Sequence, residues 1–273
     1  MSYFGFLARF VVLPLVALRL LNWANKRHGK TLPSTLTSWG EDQVLLAHAV
    51  VAVTYTTIWD NYLVASGVWG YDRKLVSGLT IGWVPIEEYT FFVLQPLLTG
   101  SWLQLLMRQL PVDDAPYTPD PRPRLLVTGA LGLVWAAAVA ALLSGNPRQK
   151  YLSLIVGWAL PPIMLQVAFG GDILWRHRAL IAASILPASA YLGFADSRAI
   201  DAGTWRINPK NTIGVEVIPN LPLEEALFFL LTNTLLVFGV TLVQAKASDS
   251  RLPAGLQQRY HAFKSRITSR NEL

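Results

Sequence analysis

Residues Pro85-Ile86-Glu87-Glu88-Tyr89-Thr90-Phe91-Phe92 return later in the chain as Pro222-Leu223-Glu224-Glu225-Ala226-Leu227-Phe228-Phe229. The same offset, 136 to 137 residues, lays Asp60 on Asp196, Gly67 on Gly203 and Trp69 on Trp205. Apolar helices resemble one another by chance in their aliphatic residues. Here the matched residues are acidic, aromatic or glycine, so the chain reads as an internal repeat.

Long uncharged stretches extend outward from each motif. About 20 mostly apolar residues cross a bilayer, and seven segments meet that length: Tyr3–Leu21, Gln43–Val64, Ile86–Met107, Leu125–Leu143, Tyr151–Phe169, Ala179–Ala195 and Leu223–Gln244. The first carries Arg9 and Arg19, but it has no basic leader and no small-residue cleavage site, so it is read as a span and not as a secretory signal. The predicted fold is an all-α polytopic membrane protein with seven transmembrane helices, arranged as two parallel three-helix repeats joined by one connecting helix. The units are a first repeat (1–110), a linker with the fourth helix (111–147), a second repeat (148–245) and a basic tail (246–273).

Composition agrees with lipid surroundings. Of 273 residues, 52% are hydrophobic and 15% charged, against about 25% charged in soluble domains. The absence of cysteine excludes a disulfide scaffold and thiolate catalysis. Four histidines and no glycine-rich phosphate loop give no reason to expect a metal or a cofactor. The net charge of +6 is spread between apolar runs, so no nucleic-acid partner is expected. Lys26, Arg27, Lys30, Arg108, Arg122, Arg124, Arg176, Arg178, Lys246, Arg251, Arg259, Lys264, Arg266 and Arg270 fall on one side of the predicted spans. Half as many fall on the other. Cytoplasmic loops carry the excess, which predicts an outer N-terminus, a cytoplasmic C-terminus and residence in the plasma membrane.

Six acids then gather on the outer side: Asp60, Glu87, Glu88, Asp196, Glu224 and Glu225. Proline followed by glutamate is ordinary helix-start chemistry, but that accounts for one glutamate of each pair. Its neighbour points about 100° away, toward the bundle, on the face shared with the two phenylalanines. A carboxyl taken out of water favours its protonated form, and burial outweighs a helix dipole. Several such groups at one depth share protons, giving an acid and a base. Trp69, Trp83, Tyr89, Phe91, Phe92, Trp205, Phe228 and Phe229 offer ring faces to a cation that has no counter-ion.

The paired motifs, with Trp59-Asp60 and Asp196 upstream, resemble the membrane-integral lycopene cyclases over approximately residues 3 to 245. The chain is similar to the fused form of a family that also occurs as separate subunits and as the front part of a cyclase–phytoene synthase. The resemblance implies cyclisation of the ψ end groups of lycopene, or a similar carotenoid, to β-rings, with no cofactor. It also implies association with other enzymes of the carotenoid pathway. The chemistry is redox-neutral. An acid protonates the terminal double bond, the next double bond attacks the tertiary cation, and a proton is lost beside the new ring. Glu88 and Glu225 are the expected acids, Glu87, Glu224, Asp60 and Asp196 the bases or tuning neighbours, and the aromatic residues the cation stabilisers.

A proton-coupled transporter built from parallel three-helix repeats is the rival reading. It requires polar groups at mid-membrane, where these helices read as aliphatic and aromatic. A retinal photoreceptor is excluded because Leu223–Gln244 has no lysine for a Schiff base. His48 is expected as a hydrogen-bonded interior residue, and Pro161, Pro162 and Pro187 as kinks. Gln95 is answered by Thr232 and Asn233, so the two halves are not identical.

Overall fold

A computed structural model describes residues 1–111, 117–251, 255 and 257. Helices dominate it: α1 (Tyr3–Arg27), α2 (Glu41–Ala65), α3 (Ile86–Met107), α4 (Pro121–Leu143), α5 (Lys150–Arg176), α6 (Arg178–Asp201) and α7 (Leu223–Gln244). All except α2 are long and apolar enough to cross a membrane. At 25 residues α2 is as long as α1, but it spends part of its length on His48, Asp60 and Asn61. Of the basic tail, Arg259, Lys264, Arg266 and Arg270 lie outside the described residues.

Several helices overrun the expected ends, because amphipathic turns continue past the apolar stretch. α1 continues to Arg27 and α5 to Arg176, and α6 continues to Asp201, so Asp196 lies inside its helix and not at its end. Pro161 and Pro162 keep helical φ/ψ within α5. Its non-helical residue is Gly170 (φ −145°, ψ 29°), where α7 passes so close that a Cβ would lie 2.3 Å from Leu242 Cδ2.

Each of four prolines removes the N–H that the carbonyl four residues back would receive, and in lipid such a carbonyl needs a partner. Neighbouring helices supply it. The Tyr191 hydroxyl donates to Phe10 O (3.0 Å) behind Pro14, and the Tyr55 hydroxyl donates to Trp158 O (2.8 Å) behind Pro162. The indoles of Trp135 and Trp102 donate to Gly157 O and Ala183 O, both at 3.2 Å, behind Pro161 and Pro187. The prolines thus serve as sockets for interhelical bonds.

α3 and α7 cross at the centre. α1 and α2 pack on α3, and α5 and α6 on α7. α4 lies outside against α5, with none of its residues buried. Between α3 and α7, Gln95 Nε2 and Thr99 Oγ1 both donate to Asn233 Oδ1 at 2.8 Å, and Asn233 Nδ2 donates to Ser189 Oγ at 3.1 Å. The helix centres are therefore not purely aliphatic and aromatic, contrary to expectation. This knot is uncharged and bonded within the protein, which suits a fastener between halves more than an ion site.

Helices α2 and α6 end in the same way. Gly67 and Gly203 take φ of +67° and +69°, and Val68 and Thr204 then donate back to Leu63 O (3.0 Å) and Ala199 O (2.9 Å). These are glycine-terminated helix ends with their last carbonyls satisfied. The chain next enters two short extended segments, β1 (Trp69–Tyr71) and β4 (Trp205–Ile207). They pair antiparallel in the register Trp69 to Ile207, Gly70 to Arg206 and Tyr71 to Trp205. Two further ribbons lead into the central helices, β2 (Thr80–Ile81) with β3 (Val84–Pro85) and β5 (Glu216–Ile218) with β6 (Leu221–Pro222). An all-α description therefore omits three ribbons.

At the opposite end from these ribbons the Arg108 side chain, fully buried, pairs with Glu41 and donates to Asn22 Oδ1 (2.7 Å) and Gln104 O (2.9 Å). Lys26 adds a 3.0 Å contact to Glu41. One arginine thus joins α1, α2 and α3. Arg108→Met is expected to lower unfolding stability by about 3 kcal/mol, because half of a buried pair is left behind. Thermal unfolding in detergent measures this, and an unchanged midpoint would show that Lys26 suffices.

Candidate active site

The Pro85 and Pro222 motifs begin α3 and α7 with the prolines as caps, so both glutamates of each pair stand in a first turn. Both pairs are buried: Glu87 and Glu224 are 0% exposed, Glu88 4% and Glu225 6%. The two members of a pair do different things. Glu87 Oε1 accepts the Ser77 backbone N–H at 2.5 Å, and Glu224 Oε1 accepts that of Ile213 at 2.8 Å. Each of these carboxyls pins the loop that precedes its own helix.

Glu88 and Glu225 turn inward. The Tyr3 hydroxyl donates to Glu88 Oε2 at 2.5 Å and the Tyr71 hydroxyl to the same oxygen at 3.0 Å. The Tyr151 hydroxyl donates to Glu225 Oε1 at 2.6 Å. Phenols grip one oxygen of each carboxyl and leave the other free of them. Tyr71, on β1, is held well above the ordinary phenol value of 10.0, first by burial and then by the charge of Glu88. It remains a donor at any physiological pH.

Asp60 and Asp196 lie one helix away and are just as buried, at 0% and 2% exposure. Asp196 Oδ1 accepts the Trp205 indole N–H at 2.9 Å. Among the described residues Asp60 has no hydrogen-bond partner on either oxygen, and the Trp69 indole N–H, which corresponds to that of Trp205, has none either. Neither aspartate forms an ion pair with Arg73 or Arg206 among the described residues. Glu88 and Glu225 are both close enough to act electrostatically on Asp60 and on Asp196. The sequence-predicted acids are therefore brought together, apart from Glu87 and Glu224, which are engaged by loops.

The aromatic residues divide similarly. Phe91 and Phe229 meet edge to face at 6.5 Å, and Phe228 lies 5.3 Å from Phe229. Trp205 packs 4.9 Å from Tyr3, Trp69 5.1 Å from Tyr71 and Tyr89 5.7 Å from Phe92. The Tyr89 hydroxyl donates to Ile81 O, so Tyr89 also ties down a ribbon. Trp83 is 67% exposed on the turn between β2 and β3, because its side of that short ribbon faces away from the bundle.

Sequence reasoning missed Tyr3, Tyr71 and Tyr151, together with a stack in which Trp59 lies 4.5 Å from Trp158 and 5.7 Å from Phe228. Tyr3 and Tyr151 open the first helix of each half. Their offset differs from that of the glutamates, so a single overlay of the chain does not align them. Phe91, Phe92 and Phe228 line one end of a cavity of about 250 Å³ between α2, α3, α5 and α7. His48, bonded to Val44 O at 2.7 Å, and Gln166 line it as well. A buried set of carboxyls and phenols beside apolar and aromatic walls can move protons onto and off a hydrocarbon while keeping water from the cation.

The family model described as lycopene cyclase matches residues 42–106 and 149–243. The lycopene beta-cyclase of Halobacterium salinarum is 37% identical over 245 residues, covering 88% of this chain and 95% of that protein. The bifunctional lycopene cyclase/phytoene synthase of Sporisorium reilianum is 36% identical over 200 residues, 71% of this chain and 29% of the relative. That of Blakeslea trispora is 33% identical over 227 residues, 81% of this chain and 35% of the relative. No solved structure matches.

Proposed function

This chain belongs to the lycopene cyclase family, and from that premise we propose how its buried carboxyls carry the reaction. The reaction is the cyclisation of the end groups of lycopene to β-rings. Glu88 and Glu225 are the acids. The oxygen not gripped by a phenol carries the proton to the terminal double bond, and the phenols hold the carboxyl in orientation throughout. The tertiary cation that results is attacked by the next double bond, which closes the ring. Loss of a proton beside the ring returns the carboxyl set to its starting protonation, with Asp60 and Asp196 as the acceptors. The paired phenylalanines, with Trp59 and Trp205, face the cation. Glu87 and Glu224 hold the loops over the site.

The observation that carries this reading is the doubled arrangement of a buried glutamate, a phenol on one of its oxygens and paired phenylalanines one turn on. The antiparallel pairing of β1 with β4, centred on Gly70 and Arg206, supports two three-helix repeats (1–110 and 148–245) about an axis along the membrane normal. Each strand meets its own counterpart, as a two-fold interface requires. On this reading α2 is a seventh span, α4 the connector, the acids lie toward the outer side of the plasma membrane and the C-terminus is cytoplasmic. Contact with lipid and with other enzymes of the pathway belongs to the same proposal.

Expression in lycopene-accumulating bacteria tests it. Cyclic carotenoids are expected in the pigment extract, and unchanged lycopene in cells whose membranes contain the intact protein would refute it.

A further inference from the structure

Resting on the cyclase reading above, we propose that only one of two corresponding apolar grooves receives the polyene, and that Trp102 closes the other. The first groove is the cavity between α2, α3, α5 and α7. The second, of about 310 Å³, lies between α1, α3 and α6. They are made of the same parts. Ala52, Tyr55 and Pro162 in the first correspond to Ala188, Tyr191 and Pro14 in the second. In each, the tyrosine hydroxyl sits on the carbonyl that the proline has freed.

Two differences separate them. The first groove reaches the reacting region, since Phe91, Phe92 and Phe228 form part of its wall; the wall of the second includes none of the motif phenylalanines. The grooves also differ at the end away from the acids. His48 and Gln166 stand between the first groove and a further cavity of about 450 Å³, lined also by Leu165, Phe169 and Ser248. The α7 backbone beside them is Gly239, where a Cβ would lie 2.5 Å from His48 Nε2 and 3.2 Å from Gln166 Nε2. A glycine there leaves the room that the His48 and Gln166 side chains occupy between the two cavities, a partition of two movable side chains and not of backbone. The residue of α3 in the corresponding position is Trp102. Its indole lines the second groove and donates across to Ala183 O at 3.2 Å.

A conjugated hydrocarbon is stiff and does not fold back on itself. With one end at the carboxyls, its remainder needs a course with further space beyond the groove, and of the two grooves the first has a second cavity next to its far end, behind His48 and Gln166. Its walls are predominantly apolar, and open laterally toward lipid at Val51 and Tyr55, 60% and 41% exposed, as entry from a bilayer demands.

Matched substitutions test the assignment. Ala52→Trp and Leu165→Trp, at the near and far ends of the first course, are each expected to cut ring formation about tenfold, by obstructing a substrate whose placement controls the rate. Ala188→Trp in the second groove is expected to leave total rings, and the ratio of one-ring to two-ring products, unchanged. Loss of activity or stalling at one ring in Ala188→Trp would overturn the proposal, as would wild-type activity in both of the others. Leu165 is 72% exposed, so its variant decides the matter if Ala52→Trp fails to accumulate. Binding is read separately from catalysis, by the circular dichroism induced in lycopene added to purified protein. That signal is expected to vanish in Ala52→Trp and persist in Ala188→Trp, so it tests the groove even if the cyclase reading fails.

Discussion

Glu88→Gln and Glu225→Gln are each expected to lower ring formation by about 10²-fold or more, the scale of a lost general acid, without loss of folded protein. The amide is the same size and its oxygen still accepts the tyrosine hydroxyls that hold Glu88 and Glu225. What it lacks is a proton acidic enough to add to an alkene. Glu87→Gln and Glu224→Gln provide the contrast. Those side chains accept backbone N–H groups of Ser77 and Ile213, which an amide oxygen also does, so activity within about threefold of wild type is expected, with one hydrogen bond weakened by roughly 0.5–1 kcal/mol. Initial rates of β-ring formation, normalised to protein in the membrane, separate the cases. Equal losses in both members of a pair would remove the distinction between acid and loop anchor. A further comparison isolates the phenol. Tyr151→Phe removes the hydroxyl on Glu225 and keeps the carboxyl, so a smaller loss than in Glu225→Gln is expected, on the order of tenfold, for a carboxyl that is present but less well oriented.

The sequence is legible where one residue type has one physical use. Runs of twenty apolar residues located α3 and α7 to the residue, and doubled Pro-x-Glu-Glu elements located the buried acids. It fell short where the third dimension decides. The spacing to Phe91 and Phe92 puts Glu88 on the bundle face, but nothing in the local sequence says that Glu87 takes a loop N–H. That follows from how β2 and β3 return to α3. Trp83 and Trp69 look alike in the chain, yet one faces outward from a ribbon and the other packs on Tyr71. Tyr3 and Tyr151 were hidden because α1 and α5 repeat at a different offset from the motifs they serve, and Tyr71 because its counterpart in the second half is Ile207. Prolines were legible as helix breakers, but whether each one bends a helix or exposes a carbonyl depends on the neighbour, and here Tyr55, Tyr191, Trp102 and Trp135 fill the gaps.

Asp60→Leu is expected to separate stability from activity. Both carboxyl oxygens of Asp60 are buried without a hydrogen-bond partner among the described residues, a condition that costs about 1–3 kcal/mol per orphaned group. Leucine has nearly the same shape and no polar atoms, and replacing an unpartnered buried polar group by an apolar one of similar size is neutral or stabilising. The variant should therefore melt at or above the wild-type temperature while forming rings about 10²-fold more slowly, because a proton acceptor facing both glutamates has gone. Asp196→Leu should behave differently. It strands the Trp205 indole, bonded to Asp196 at 2.9 Å, and should lower stability by about 1–3 kcal/mol. Paired melting curves and initial rates read both effects. Undiminished rates in Asp60→Leu would remove it from the proton path, and a lower melting temperature would mean that its carboxyl contributes to folding. If stability rises as activity falls, an unpartnered buried acid is retained for the reaction at the expense of the fold, as natural active sites commonly do.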